Sequence, residues 1–275
     1  MSRDYTAMYT DRQTLTSAYG SSAPLAARQA IYRYQQPPID FLGWALEQVP
    51  WRGGERVLDI GCGNGGYLRR LAGRATVLGF DLSRGMLAEV AQQDSQSRPL
   101  LTVADAMALP LPDASCDVAL AMHMLYHVPD ITLAVRELRR VLRPGGVLLA
   151  ATNGEDDKQA IEDAFAEALV PLAREALPTG EQHRRLSFTM ERGAALLQSA
   201  FAQVERRDIT STLVITEAAP LLAYIDSMRA LREPLLPAGV TWQALMAEVE
   251  LRVKATIAAH GAFHAQTHAG VFVCR

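Results

Sequence analysis

Residues 57–66, VLDIGCGNGG, decide the fold. The run Arg56–Ile60 (RVLDI) has the apolar density of a buried strand, and 67–71 reads as a helix. The glycine turn GCGNGG therefore joins a strand to a helix, and Gly61, Gly63 and Gly66 match G-x-G-x-x-G. Glycines in such a turn let the backbone bend tightly and approach a ligand with no Cβ in the way. Dinucleotide-binding proteins use the same motif, so the turn alone leaves the ligand open.

Working outward, strands and helices alternate at short intervals. The patterns predict a strand at 76–80, a helix at 84–93, strands at 99–103 and 116–122, and a helix at 131–142. LRPGG (142–146) is a stop signal that launches the strand VLLAAT. Such alternation implies a parallel sheet built by right-handed crossovers, an α/β fold with helices on both faces. Before it, residues 1–50 are rich in Tyr, Gln, Ser and Ala with a helical stretch near 39–49, and read as an N-terminal helical cap. After it come a helix at 155–177, a helix at 192–200, a strand at 204–215, and helical residues at 218–260 broken by Pro234 and Pro237. The strand GVFVC closes the chain, so 51–275 reads as one domain with helical insertions at about 155–186 and 217–262. Insertions of that size at a sheet rim commonly build a lid or a substrate pocket.

The 275 residues are 49% hydrophobic and 21% charged with net charge −3, a balance that suits a sizeable core and argues against nucleic-acid or anionic-membrane partners. Cys62, Cys116 and Cys274 are widely spaced, which points to neither a disulfide framework nor a zinc site. The N-terminal residues lack the apolar core of a signal peptide, and no stretch is apolar enough to span a bilayer. The expectation is a soluble cytoplasmic protein.

Three acids separate the ligand classes. Asp59 precedes the first glycine by two residues, where an added carboxylate would repel a pyrophosphate. It would attract an ammonium or a sulfonium, at about 1.5–3 kcal/mol for a charge-assisted hydrogen bond. S-adenosylmethionine carries both cations and no phosphate. Asp81 ends the second strand, placed for ribose hydroxyls, and Asp105 follows the third, placed for an adenine amino group. Asp59 or Asp81 could instead cap the helix that follows, with Ser83 competing for the second cap.

With GFDLS, ADAMALPLPDASCDVALAMHMLYHVPD and LRPGGVLLA, the run VLDIGCGNGGYLRRLA resembles the class I methyltransferases, especially the ubiquinone/menaquinone-biosynthesis branch. The resemblance covers about 55–152. It implies a seven-stranded sheet whose last strand is antiparallel, with S-adenosyl-L-methionine as cofactor. It also implies that Asp59, Gly61 and Gly63 hold the methionine end, with Cys62 and Asn64 lining the turn. Asp81 would bind the ribose, Leu82 and Met86 would flank the adenine, and Asp105 and Ala106 would contact its edge. Met122 would lie beneath the sulfonium and His127 beside the methionine moiety. Tyr19 is the first candidate in a tyrosine-rich segment (Tyr5, Tyr9, Tyr19, Tyr32, Tyr34) that folds over the cofactor in related enzymes.

Methyl transfer needs no covalent enzyme intermediate, so Cys62 reads as a wall residue. His123 and His127 stand four apart but lack the HExxH glutamate, so no metal is assigned, and either imidazole is a candidate catalytic base. His183, His260, His264 and His268 are read as loop or helix-end residues, and Glu162, Asp163, Glu167 and Glu175 as a solvated helix face. The insertions carry Phe165, Phe188, Tyr224, Met228, Trp242 and Met246, apolar enough to enclose a small molecule. The expected acceptor is a nitrogen, oxygen or carbon atom of a specialised metabolite, with a quinone-type carbon second. A non-catalytic nucleoside-binding regulator and a nicotinamide-dependent oxidoreductase are the other classes.

Overall fold

The structure, a computed structural model, describes residues 5–93, 99–173 and 186–275. Its strands are β1 (Gln35–Gln36), β2 (Arg56–Ile60), β3 (Thr76–Asp81), β4 (Leu100–Val103), β5 (Cys116–Met122), β6 (Leu142–Asn153), β7 (Val204–Ile215) and β8 (Phe263–Cys274). They form one sheet in the order β1-β7-β8-β6-β5-β2-β3-β4. From β6 to β4 every pairing is parallel, while β8 runs antiparallel to both β6 and β7. The eighth strand, one more than expected, is β1, which pairs with β7 through two residues. Two residues are too few to carry a strand period, which is why the sequence gives no sign of it.

The helices are α1 (Tyr5–Thr10), α2 (Arg12–Ala18), α3 (Ala23–Ala30), α4 (Phe41–Leu46), α5 (Gly66–Leu71), α6 (Arg84–Gln93), α7 (Ile131–Val141), α8 (Gln159–Leu169), α9 (Gly193–Leu197), α10 (Ala218–Asp226), α11 (Arg229–Arg232) and α12 (Trp242–His260). Among the described residues no helix is long and apolar enough to cross a membrane.

Alternation along the central strands sends Leu58, Ile60, Ala119, Ala121, Leu148 and Ala150 to one face and Val57, Leu120, Met122, Leu149 and Ala151 to the other. The first face packs on α7. That helix buries Ile131, Ala134, Val135, Leu138 and Val141, a spacing that forms one stripe, and each full-sized apolar side chain contributes about 1.5–3 kcal/mol. The helix stops at Val141, where LRPGG begins, and the strand starts within that run: Arg143–Gly146 bulge from β6 opposite Asp117, and the register jumps from Cys116↔Leu142 to Val118↔Val147. The Asp117 carboxylate holds the bulge by accepting from the Arg56 amide and the Arg143 guanidinium.

The hairpin of β7 and β8 pairs over twelve residues, yet β8 contacts β6 only from Ala269 to Cys274. Its distal half projects past the sheet and carries a second core, where Leu213, Ile215, Phe263 and Ala265 meet Phe165, Tyr224, Trp242 and Val249. Both helical insertions pack there. His264 and His268 therefore lie on β8 and not in loops, because Phe263, Ala265 and Thr267 alternate inward between polar neighbours.

Candidate active site

The strand ends of β2, β3, β5 and β6 and the helical insertions surround one cavity of about 1290 Å³. At its centre is the glycine turn. Gly61 has φ +71°, and a Cβ there would stand 2.8 Å from Cβ of Met124, so both conformation and space require glycine. The amides of Gly61 and Cys62 donate to the Phe80 carbonyl at 2.7 and 3.0 Å, tying the turn to β3. The Asp81 carboxylate completes the tie, accepting from the Gly63 amide at 2.9 Å and the Ser83 amide at 2.8 Å. Ser83 takes the helix cap, its Oγ accepting from the Met86 amide. Each Asp81 oxygen keeps a lone pair for a further donor, and the residue lines the cavity.

Asp59 is 1% exposed, and neither carboxylate oxygen has a hydrogen-bond partner among the described residues. It lies just behind the lining, electrostatically coupled to Cys62 and Tyr67, which do face the cavity. Burial, assisted by Asp81, pushes its carboxyl up to about 8. An unpartnered buried carboxylate is costly, and a cationic guest at the turn would relieve it. Burial and the same two acids drive the Cys62 thiol far upward, which keeps it protonated and unreactive.

Asp105 accepts from the Met107 amide at 2.9 Å, and the exposed Arg12 stands 3.8 Å from its other oxygen. Leu82, Met86, Asp105, Ala106, Cys62, Asn64 and Met122 all line the cavity. The Asn64 amide nitrogen donates to Gln29 Oε1 at 2.9 Å, so α3 lies over the turn.

The N-terminal segment closes the crevice. Tyr19 Oη stands 2.9 Å from His127 Nε2, and His127 Nδ1 stands 2.9 Å from the Tyr9 carbonyl. Arg28 donates to Tyr19 Oη at 2.8 Å, leaving its Nη2 buried without a partner among the described residues. Gly85 permits this closure, since a Cβ there would come within 2.0 Å of the Gly20 carbonyl oxygen. Arg28, Tyr67 and the Gly20–Gly85 contact escape a sequence reading. The one available sign was a lone arginine in a helix otherwise free of charge (APLAARQA).

His123 directly follows β5 with φ +55°, its amide donating to the Ala151 carbonyl at 3.0 Å. Its ring faces Phe41 at 5.2 Å, lines the cavity, and has no hydrogen-bond partner among the described residues. Burial and the nearby Lys158 lower it to about 4, so it is neutral at physiological pH. His127, lowered to about 4 by burial, has both nitrogens engaged and anchors the N-terminal segment.

Glu162 departs from the expected solvated face: it is 6% exposed and accepts from Arg232 Nη2 at 2.6 Å. The distal half of β8 and α12 pack on α8, and Arg232 of α11 reaches Glu162, whereas Asp163 and Glu167 stay outside. Glu175, His183 and the side chain of Tyr5 lie outside the described residues. Asp156, Glu191 and His268 form a trio with metal-ligand atoms within 4.8 Å, but Asp156 and Asp208 already clamp the imidazole and Arg206 lies 3.6 Å from Glu191.

Comparison with known proteins agrees with this geometry. Residues 58–150 match the family model described as a methyltransferase domain. The chain is 42% identical over 106 residues to the 27-O-demethylrifamycin SV methyltransferase of Amycolatopsis mediterranei, covering 36% of this chain and 39% of that enzyme. It is 33% identical over 188 residues to the malonyl-[acyl-carrier protein] O-methyltransferase of Enterobacter lignolyticus, covering 66% of this chain and 72% of that enzyme. The Haemonchus contortus phosphoethanolamine N-methyltransferase 2, solved with S-adenosyl-L-methionine, shares the fold at TM-score 0.58 and 20% identity over 95% of this chain and 59% of that one. The chain belongs to the S-adenosylmethionine-dependent methyltransferase family. Its cofactor is S-adenosylmethionine, and the nicotinamide alternative falls with that membership.

Proposed function

We propose that the protein methylates an oxygen or nitrogen atom of a small, largely apolar specialised metabolite. The observation that carries this reading is the single cavity of about 1290 Å³, which runs from the acids of the glycine turn to side chains of both insertions. Drug-sized ligand sites span about 300–1,000 Å³, so this space suits two guests side by side. When bound, the cofactor supplies a methyl group made electrophilic by its sulfonium.

The chain's own residues bind, orient and exclude water. Asp81 would hold the ribose hydroxyls and Asp105 the adenine amino group, with Leu82, Met86 and Ala106 around the base. Asp59, Gly61 and Gly63 would serve the methionine end, beside Cys62, Asn64 and Met122, with the free Nη2 of Arg28 for its carboxylate. Tyr19 and His127 would close over it. Neutral and unpartnered, His123 would accept the acceptor's proton where the nucleophile carries one. Three buried free thiols suit a cytoplasmic setting. Incubating the protein with S-adenosylmethionine and metabolite panels, and reading the mass of one added methyl group, tests the proposal. Turnover only on polynucleotide or protein would overturn it.

A further inference from the structure

The cavity wall farthest from the glycine turn in sequence is made by the two insertions, and it contains two buried cations. Lys158 is 3% exposed and Arg232 5% exposed. Both line the cavity, and Tyr224 lies within electrostatic range of each. Lys158 donates to Tyr32 Oη at 3.0 Å and to the Asp157 carboxylate, which uses two of its three ammonium hydrogens. It also holds φ +57° at the N-cap of α8, a left-handed conformation that costs a lysine about 1–3 kcal/mol and persists only where surroundings impose it. Arg232 donates through Nη2 to Glu162 and rests over the Phe165 ring at 4.8 Å. Its Nη1 is buried with no hydrogen-bond partner among the described residues.

Each cation therefore has a carboxylate in contact while keeping donors unused. What this wall lacks is lone pairs, not negative charge. An orphaned buried donor costs about 1–3 kcal/mol, more when charged, and a water-sized or larger guest with an accepting oxygen recovers it. A guest carboxylate would add a further anion beside Asp157 and Glu162, in a place where desolvation is expensive.

Resting on the methyl-transfer reading, we infer that this wall is the acceptor's specificity subsite. It recognises an uncharged carbonyl oxygen on an apolar ring or chain through Arg232 Nη1 and Lys158 Nζ. The methylated atom and the recognised carbonyl are then different parts of one molecule: the first faces His123, the second the insertions. Apolar walls from Met228, Leu231 and Ile209 accept the rest of the skeleton.

The test uses the full chain saturated with S-adenosylhomocysteine and aryl methyl ketones of one, two and three fused rings. Each ketone is paired with its ethyl twin, which lacks the oxygen, and with its carboxylic acid. Affinities are read by competition mass spectrometry. At least one ketone is expected to bind about ten- to a hundredfold more tightly than its ethyl twin and more tightly than its acid. Replacing the pair together, Glu162→Met with Arg232→Met, removes the donor along with the carboxylate it contacts, and should erase the ketone's advantage. Equal binding of ketone and ethyl twin, a preference for the acid, or no ketone bound overturns the inference. S-adenosylhomocysteine affinity is measured in the same samples. Protein that holds it but shows no ketone preference sinks the subsite alone; protein that fails to hold it sinks the methyl-transfer reading as well.

Discussion

At the glycine-turn end of the cavity Asp59 and Asp81 have no counterion in contact among the described residues. Among the described residues Asp59 has no partner, Asp81 accepts from backbone amides, and Asp105 accepts from one amide and pairs at 3.8 Å with the exposed Arg12. At the insertion end the arrangement is reversed, and each buried cation is matched by an acid at contact distance. The first end is a charge left open for a cationic guest. The second pairs each buried cation with an acid and, among the described residues, keeps hydrogen-bond donors unused. On the proposed reading, one cavity selects its two guests by different physics, the cofactor by electrostatics and the acceptor by shape and donor geometry.

Removing the acid that does most at the open end should give the largest change. Asp81→Ala deletes two charge-assisted acceptors for the ribose and also releases the Gly63 and Ser83 amides, so cofactor affinity should fall by about a hundredfold or more. Calorimetry on the variant, with circular dichroism to confirm folding, reads it. Unchanged affinity would remove the ribose assignment and blur the contrast between the two ends. His123 lines the same cavity, near Lys158. His123→Gln should lower kcat about a hundredfold while leaving cofactor affinity alone, if the acceptor atom carries a proton. Because burial holds the imidazole near 4, the wild-type rate should not fall until the pH approaches that value. A rate limb near 6.5 would place the base elsewhere.

The open end was largely legible because it is local. Its acids sit at three successive strand ends, each within two residues of the turn it serves, and strand and turn patterns are short-range signals. The closed end was not. Glu162 meets Arg232 across 70 residues, and Lys158 meets Tyr32 across 126. Helical periodicity placed Glu162 on a polar face, which is correct for an isolated helix and fails once α12 and β8 pack on α8 and Arg232 reaches Glu162. The same limit hid β1 and the distal half of β8, whose inward residues include Ala265 and Thr267, too small or too polar to announce a core strand.

A finer contrast comes from protons. Asp59 has a folded pKa of about 8 against an ordinary 3.8. Between these values the carboxyl is neutral in the folded chain and ionised in the unfolded one. Its contribution to stability is therefore fully present below about pH 4, declines as the pH rises, and levels off above about 8. A cationic guest needs the ionised form, so cofactor binding at pH 7 should release about one proton, measurable by calorimetry in two buffers of different ionisation heat. Asp59→Asn should abolish that release, flatten the fall in thermal stability of the free protein between pH 5 and pH 8, and weaken binding by about tenfold. Full proton release from the variant would show that another group is responsible.

The smallest expected effect concerns how the open end is covered. Arg28 donates to Tyr19 Oη, so that hydroxyl's own hydrogen must go to His127 Nε2, and Nε2 is the unprotonated nitrogen. Nδ1 then carries the proton and donates to the Tyr9 carbonyl, a chain that pins two parts of the N-terminal segment to one neutral imidazole. Tyr19→Phe breaks two of these bonds but keeps the Arg28 contact with the ring, the Ser83 hydrogen bond to the Tyr19 carbonyl and the Gly20–Gly85 packing. A loss of about 0.5–1.5 kcal/mol per hydrogen bond, partly made good by water, should speed cofactor release about three- to tenfold. Stopped-flow release rates and amide hydrogen exchange over residues 9–30 read it. If release is unchanged while exchange rises, the segment covers the cofactor without gating it, and the anionic floor alone sets residence time.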